Sequence, residues 1–195
     1  IREAAVFGEY LVLTRTIRTA LGESRFTIED EIENLGHEVA PHMILYHANG
    51  GFPALQADSE LLSPTVSVKP VAPEAKTETD KFNRFLPPTP GFAERVYLHT
   101  LRSGKDKQVT VALVSRSFQG GRGLGFALRY SKAQLPCFAQ WKMMNQGLYA
   151  AGLEPCNAPP IGREAALRDG ILPTLAPGEK RTYQLEYQIL ASPEE

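Results

Sequence analysis

Two residues of this 195-residue chain have the side-chain types and settings that proton transfer needs. His47 ends the apolar run 39–46 and precedes the loop-like segment Ala48-Asn49-Gly50-Gly51-Phe52-Pro53. An imidazole in that setting can give or take a proton near neutral pH. Glu154 lies in Gly152-Leu153-Glu154-Pro155, behind the apolar run that starts at Tyr149. A carboxylate in so apolar a context must stand at a rim, be paired, or be poised in a pocket. The dipeptide Trp141-Lys142 is a third feature. An indole at a strand end can stack on a sugar face, although core packing is the default for Trp141.

Other candidate motifs are weaker. Gly120-Gly121-Arg122-Gly123-Leu124-Gly125 is glycine-rich but lacks the Lys-Ser/Thr ending of a phosphate loop and opens no helix, so it reads as a hairpin turn. There is no Gly-x-Ser-x-Gly elbow. His37, His42 and His47 are spaced by five, which reverses the face of a strand and does not converge three ligands on a metal. His99 reads as structural or surface. Asp30, Glu31 and Glu33 read as a solvated strand face. Cys137 and Cys156 form no CxxC pair, and two scattered thiols in a reducing compartment is the favoured reading over a disulfide. The residues therefore call for no metal and no cofactor.

Composition narrows the classes further. Lys and Arg number 21 against 22 Asp and Glu, for a formal net charge of -1, which provides no general attraction to nucleic acid or anionic lipid. No apolar run is long enough for a membrane-spanning helix and no signal-peptide pattern is visible, so a cytoplasmic location is expected. Hydrophobic residues make up 43%, enough for a sizeable core.

The elements that must hold these residues are strands. Residues 10–18 are rich in β-branched side chains. Residues 24–33 place Phe26, Ile28 and Ile32 in phase, with Asp30 as an interruption. Asn34-Leu35-Gly36-His37 is a turn. Strands are further predicted at 39–46, 95–100, 108–115, 123–130, 138–144, 148–153 and 180–190, with one or two helical turns at 163–169. The segment 58–93 is proline-rich and polar in its middle, with a short strand predicted at Leu61, Val66 and Val68. It reads as a long loop excursion and candidate cover for a site, favoured over a domain linker, inside a single domain that spans 1–195. Nine or ten strands with almost no helix predict an all-β antiparallel sandwich.

Three ordered segments carry a resemblance to a known family. They are Ile32-Glu33-Asn34-Leu35-Gly36 with Pro41 and Tyr46-His47-Ala48-Asn49; Tyr149-Ala150-Ala151-Gly152-Leu153-Glu154-Pro155; and Leu175-Ala176-Pro177-Gly178-Glu179 with Tyr183 and Tyr187. In these the chain resembles the aldose 1-epimerase superfamily, the galactose-mutarotase-like proteins. Leu45-Tyr46-His47, Gln140-Trp141-Lys142-Met143 and Leu153-Glu154-Pro155-Cys156-Asn157 are closest to an uncharacterised bacterial branch of it. The resemblance implies a large antiparallel supersandwich of which this chain would be the C-terminal portion, the preceding part supplying early strands, a sugar-contacting Arg and a further His. It implies an isomerase that interconverts sugar anomers, with Glu154 as base and His47 as acid on opposite sides of the sugar and a sugar ring's width apart. Asn49, Trp141, Lys142, Asn157 and Arg95 would orient the substrate. The implied partner is a small-molecule sugar or sugar derivative, with no nucleic acid and no membrane, and self-association into a homo-oligomer stays open. One departure is that Ala48-Asn49-Gly50-Gly51 follows His47 where characterised mutarotases carry an aromatic or Pro-Tyr pair, so the sugar cannot be inferred from galactose enzymes.

Three readings remain at this point. The chain is an anomer-exchanging enzyme, a sugar-binding module of the same fold without the proton-transfer pair, or a structural domain with Trp141 in its core.

Overall fold

The computed structural model describes residues 1–71 and 73–192. Its strands, in chain order, are β1 (Arg2–Ala4), β2 (Tyr10–Thr19), β3 (Arg25–Asn34), β4 (Ala40–Pro41), β5 (Ala48–Gly50), β6 (Glu60–Leu62), β7 (Thr65–Pro70), β8 (Arg95–Leu101), β9 (Gln108–Ser115), β10 (Leu124–Ser131), β11 (Cys137–Asn145), β12 (Leu148–Cys156), β13 (Thr174–Leu175) and β14 (Lys180–Leu190). A seven-stranded sheet runs β1-β2-β3-β14-β10-β9-β6, a five-stranded sheet runs β5-β12-β11-β8-β7, and β13 pairs with β4. Every named pairing is antiparallel. The expected all-β sandwich is therefore the observed one.

The two sheets bury alternate side chains against each other. Val109, Val111, Leu113, Leu128, Tyr130 and Leu185 come from the larger sheet, and Tyr97, Phe138, Met144, Ala151 and Leu153 from the smaller; all are buried. Period-two alternation fixes which face each residue takes.

Asp30 departs from the sequence reading of a solvated face. It shares parity with Ile28 and Ile32, faces inward, and is 0% exposed. Arg15, its direct neighbour across β2 and β3, donates from Nε at 2.8 Å and from Nη2 at 2.7 Å. The Tyr46 hydroxyl donates a third bond at 2.7 Å. A buried carboxylate survives because its charge is paired and its lone pairs are used. The Asn34 turn forms as expected, with the Asn34 amide also bonding the carbonyls of Glu38 and Leu175.

Two segments differ from expectation. The run 39–46 is strand only at β4, while 48–50, read as loop, is β5. Gly50 permits close packing there: its added Cβ would sit 2.5 Å from the Leu113 and Phe126 side chains. The proline-rich stretch 58–93 carries the strand expected at Leu61, Val66 and Val68 as two, β6 and β7, and adds a helical turn at Pro73–Lys76 and a 3-10 turn at Thr79–Lys81. Its latter part is pinned by groups on β11 and β12. Lys142 Nζ donates to the carbonyls of Lys81 (3.2 Å) and Arg84 (2.6 Å). Gln140 Nε2 donates to the Phe82 carbonyl at 2.8 Å, and the Tyr149 hydroxyl to the Leu86 carbonyl.

Among the described residues, no helix is long and apolar enough to cross a membrane.

Candidate active site

Strand register assembles the candidate site. Ala48 pairs with Leu153 and Asn49 with Gly152, and Leu45 bridges Cys156. The same register carried through Tyr46 and His47 sets His47 directly opposite Glu154; the Tyr46 amide bonds the Pro155 carbonyl at 3.0 Å, as that alignment requires. On the other side of β12, Trp141 pairs with Gly152 and Ala139 with Glu154. Two rows result on one face: Trp141, Gly152 and Asn49, then Ala139, Glu154 and His47. This face points away from the core that Leu153 and Ala151 help to fill.

Within these rows the His47 Nε2 lies 3.0 Å from the Glu154 Oε1. The imidazole is half exposed, and the carboxyl is 7% exposed. The two atoms are close but not aligned as a hydrogen bond, so the buried Oε1 lacks a hydrogen-bond partner among the described residues. Burial pushes the Glu154 carboxyl above its ordinary range, and the neighbouring His47 offsets part of that rise. The Trp141 ring meets the imidazole edge-on, centroids 5.8 Å apart. Its indole N–H donates to the Glu94 carboxylate at 2.8 Å, which fixes the ring at the rim.

Gly152 makes the contact possible. A Cβ there would lie 2.3 Å from Glu154 Oε1 and 3.2 Å from His47 Cε1. Sequence reading did not single out this glycine. A glycine inside an otherwise strand-like run was the available signal, since such positions mark close approach.

The remaining predicted residues are placed differently. Asn49 is exposed beside Gly152. Lys142 is 3% exposed and alternates with Trp141, so its side chain takes the opposite face. There it bonds loop carbonyls beneath the Phe85 and Tyr97 rings, and burial lowers its pKa to about 8. Asn157 is used up inside the fold: its amide donates to the His42 carbonyl and the Tyr183 hydroxyl, and its Oδ1 accepts from the Ile44 amide. Arg95 stacks on Phe92, lies 3.5 Å from Glu78, and donates to the Ala93 carbonyl. The structure thus gathers Glu154, His47, Trp141 and Asn49 and directs Lys142, Asn157 and Arg95 to structural partners. The latter part of 58–93 likewise packs against the face that bears Lys142 and Gln140, and not over the His47–Glu154 pair.

A cavity of about 540 Å³ takes in His47 and Asn49, with Phe26, Phe126 and Tyr187 in its apolar wall. A groove of about 570 Å³ on the larger sheet, bordered by Leu62, Ala112 and Gly125, holds none of these groups. The groove therefore stands apart from the candidate pair. Among the described residues, no three His, Cys, Asp or Glu side chains gather as a metal site would need.

Comparison with known proteins bears on the family and the fold. Residues 1–189 match the family described as Domain of unknown function (DUF4432). The chain belongs to that family. No curated protein matches it. Among solved structures, it superposes on a candidate aldose 1-epimerase from Klebsiella pneumoniae with a TM-score of 0.92 at 23% identity, covering 98% of this chain and 50% of that one. The Slr1438 protein of Synechocystis gives 0.61 at 18% identity, covering 94% and 55%. A galactose mutarotase-like protein from Lactobacillus casei gives 0.55 at 11%, covering 97% and 72%. The DUF4432 chain therefore spans about half the length of the first two. Its fold is the galactose-mutarotase-like β-sandwich.

Proposed function

We propose that this DUF4432 chain carries the acid–base pair of an isomerase that interconverts the anomers of a sugar. The observation that supports it is the 3.0 Å approach of His47 Nε2 to Glu154 Oε1 on an accessible face, with Oε1 still in want of a hydrogen bond. A buried polar atom left unpaired is rare in native proteins, and a substrate hydroxyl would complete it. Two Klebsiella and Lactobacillus structures of the same fold bear epimerase and mutarotase names.

The chemistry fits side-by-side groups. Ring opening needs a proton removed from the anomeric hydroxyl and one delivered to the ring oxygen. Both oxygens are bonded to the same carbon. A base and an acid therefore need not flank the sugar, and the expected ring-width separation gives way to direct contact. Glu154 takes the hydroxyl proton, His47 in its protonated form gives one to the ring oxygen, and the ring C–O bond breaks. Rotation of the aldehyde and return of both protons close the other anomer. Raised proton affinity at Glu154 favours its role as base near neutral pH. Trp141 offers the sugar an aromatic face, and Asn49 stands within the same rows to meet a hydroxyl.

The test is anomer exchange followed by magnetisation-transfer NMR over neutral, acidic and phosphorylated aldoses. Exchange accelerated by the protein, and lost in folded Glu154→Gln and His47→Asn variants, supports the reading. Sugar binding without acceleration identifies a carbohydrate-binding module instead and overturns it.

A further inference from the structure

The next row of the same sheet holds both cysteines. Cys137 and Cys156 are direct partners across β11 and β12, and both are free thiols. The sequence separates them by a hairpin and reads as two unrelated thiols; the register makes them neighbours. Their backbone relation follows from the bonds around them. The Pro155 carbonyl and the Asn157 amide bond to Tyr46 and Ile44, so the intervening N–H and C=O of Cys156 point to β11. Directly opposed residues of that kind have Cα atoms roughly 5.5 Å apart. A disulfide spans about 4.4–6.8 Å between Cα atoms. Directly opposed side chains also share a face of the sheet, so the two sulfurs start on the same side.

We propose that Cys137 and Cys156 form a reversible cross-strand disulfide when the folded protein meets a peroxide or an azo oxidant of thiols such as diamide. Cys137 is only half buried and Cys156 is fully buried, so the oxidant reaches Cys137 first. Its thiolate attacks the peroxide O–O bond, hydroxide leaves, and a sulfenic acid forms. The Cys156 sulfur then attacks the Cys137 sulfur; the S–S bond forms, the S–O bond breaks, and water leaves. Two thiols and one hydrogen peroxide become one disulfide and two waters. Burial raises both thiol pKa values, Cys156 to about 12. The reaction is accordingly slow at neutral pH and accelerates by about tenfold per pH unit while the attacking thiol stays mostly protonated. The bond closes two residues along β12 from Glu154. The inference stands on register and burial, independent of any sugar chemistry.

The experiment treats the folded protein with hydrogen peroxide or diamide, traps remaining thiols with N-ethylmaleimide, and maps peptides without reduction. The expected product is one intramolecular cross-link between the Cys137 and Cys156 peptides, removed by dithiothreitol and formed faster at higher pH. Cys137→Ser, at the more exposed position, abolishes the cross-link and leaves Cys156 as a trapped thiol after unfolding. Both peptides carrying maleimide, a Cys137 sulfinic acid with Cys156 free, or a cross-link that forms only in urea would overturn the proposal.

Discussion

Gly152 and Glu154 occupy the same face of β12, and the missing side chain of the first is the space taken by the carboxyl of the second: a Cβ at 152 would stand 2.3 Å from Oε1. Such a clash falls on the flexible end of a side chain, so the carboxyl would swing aside and the strand would hold. Gly152→Ala is therefore expected to fold with little loss of stability. Anomer exchange should fall by about 10²-fold, the cost of misplacing a reacting group by about an ångström. Circular dichroism beside the NMR exchange rate checks both halves; full activity in a folded Gly152→Ala variant would detach Glu154 from the chemistry.

The pH response of Glu154 has a fixed sign. Its carboxyl titrates above the ordinary range because of burial. The folded state therefore holds that proton more firmly than the unfolded chain does. The resulting stabilisation is present at low pH and is lost as pH rises through the raised pKa. Glu154→Gln is expected to be more stable than the parent chain at pH 8, with the difference closing below the ordinary Glu range. Denaturant midpoints across that interval measure it. The same shift places the acid limb of exchange activity above the usual carboxylate range.

His42 and His99 act in the opposite direction. Both are buried and held to about 4 by desolvation. His42 bonds the Tyr183 hydroxyl at 2.9 Å, and His99 meets Gln140 at 3.1 Å and Thr65 at 3.0 Å. Each stays neutral in the fold while its unfolded counterpart takes up a proton near 6.5. Stability is then constant above about 6.5 and falls as pH drops toward 4, by about 3 kcal/mol for each. A His99→Gln variant should show a flatter acid limb in urea titrations; an unchanged slope would mean that His99 is protonated in the fold.

Asp30 is the other buried carboxylate with a defined role. Asp30→Asn leaves Arg15 facing a neutral amide and weakens the Tyr46 bond. Removing one member of a buried pair costs about 3–5 kcal/mol. The lower end is expected, because the Arg15 side chain is 37% exposed and can be rehydrated. Thermal unfolding in parallel with exchange rates should show lost stability with the per-molecule rate retained.

Glu94 is expected to govern binding more than turnover. Glu94→Gln replaces the charged acceptor of the Trp141 indole. An exposed bond of this kind contributes roughly 0.5–1 kcal/mol, a factor of about 2–5 in KM. Trp141 is the sole tryptophan in the sequence. Its fluorescence anisotropy should fall in the variant as the ring gains freedom.

The sequence made the fold legible wherever alternation was long. β3, β9, β10 and β14 largely follow their period-two patterns, whereas in β2 Ile17 is exposed although it shares the phase of Leu13. It failed where pairing was short or the face ambiguous. β5 is three residues holding to β12, with no pattern of its own. Asp30 read as a solvated charge because its partners, Arg15 and Tyr46, lie on other elements. The same limit divided the site. His47 and Glu154 were legible as unusual residues, and Trp141 as a candidate platform. Lys142, one residue from Trp141, was indistinguishable by type from a sugar ligand, and alternation alone sends it to the other face. Gly152 was invisible because its contribution is an empty volume.

The Lys142 ammonium gathers two main-chain oxygens from residues that the composition would assign to a slack tether. That stretch is thereby treated as interior: its cut ends would expose aromatic rings and strip a buried cation of two carbonyl partners. Insertion of a tag or a cleavage site there should be tolerated far less than at the Lys105 or Gly147 hairpins, so the part of the chain that looks most like a spacer is one of the poorest places to open it.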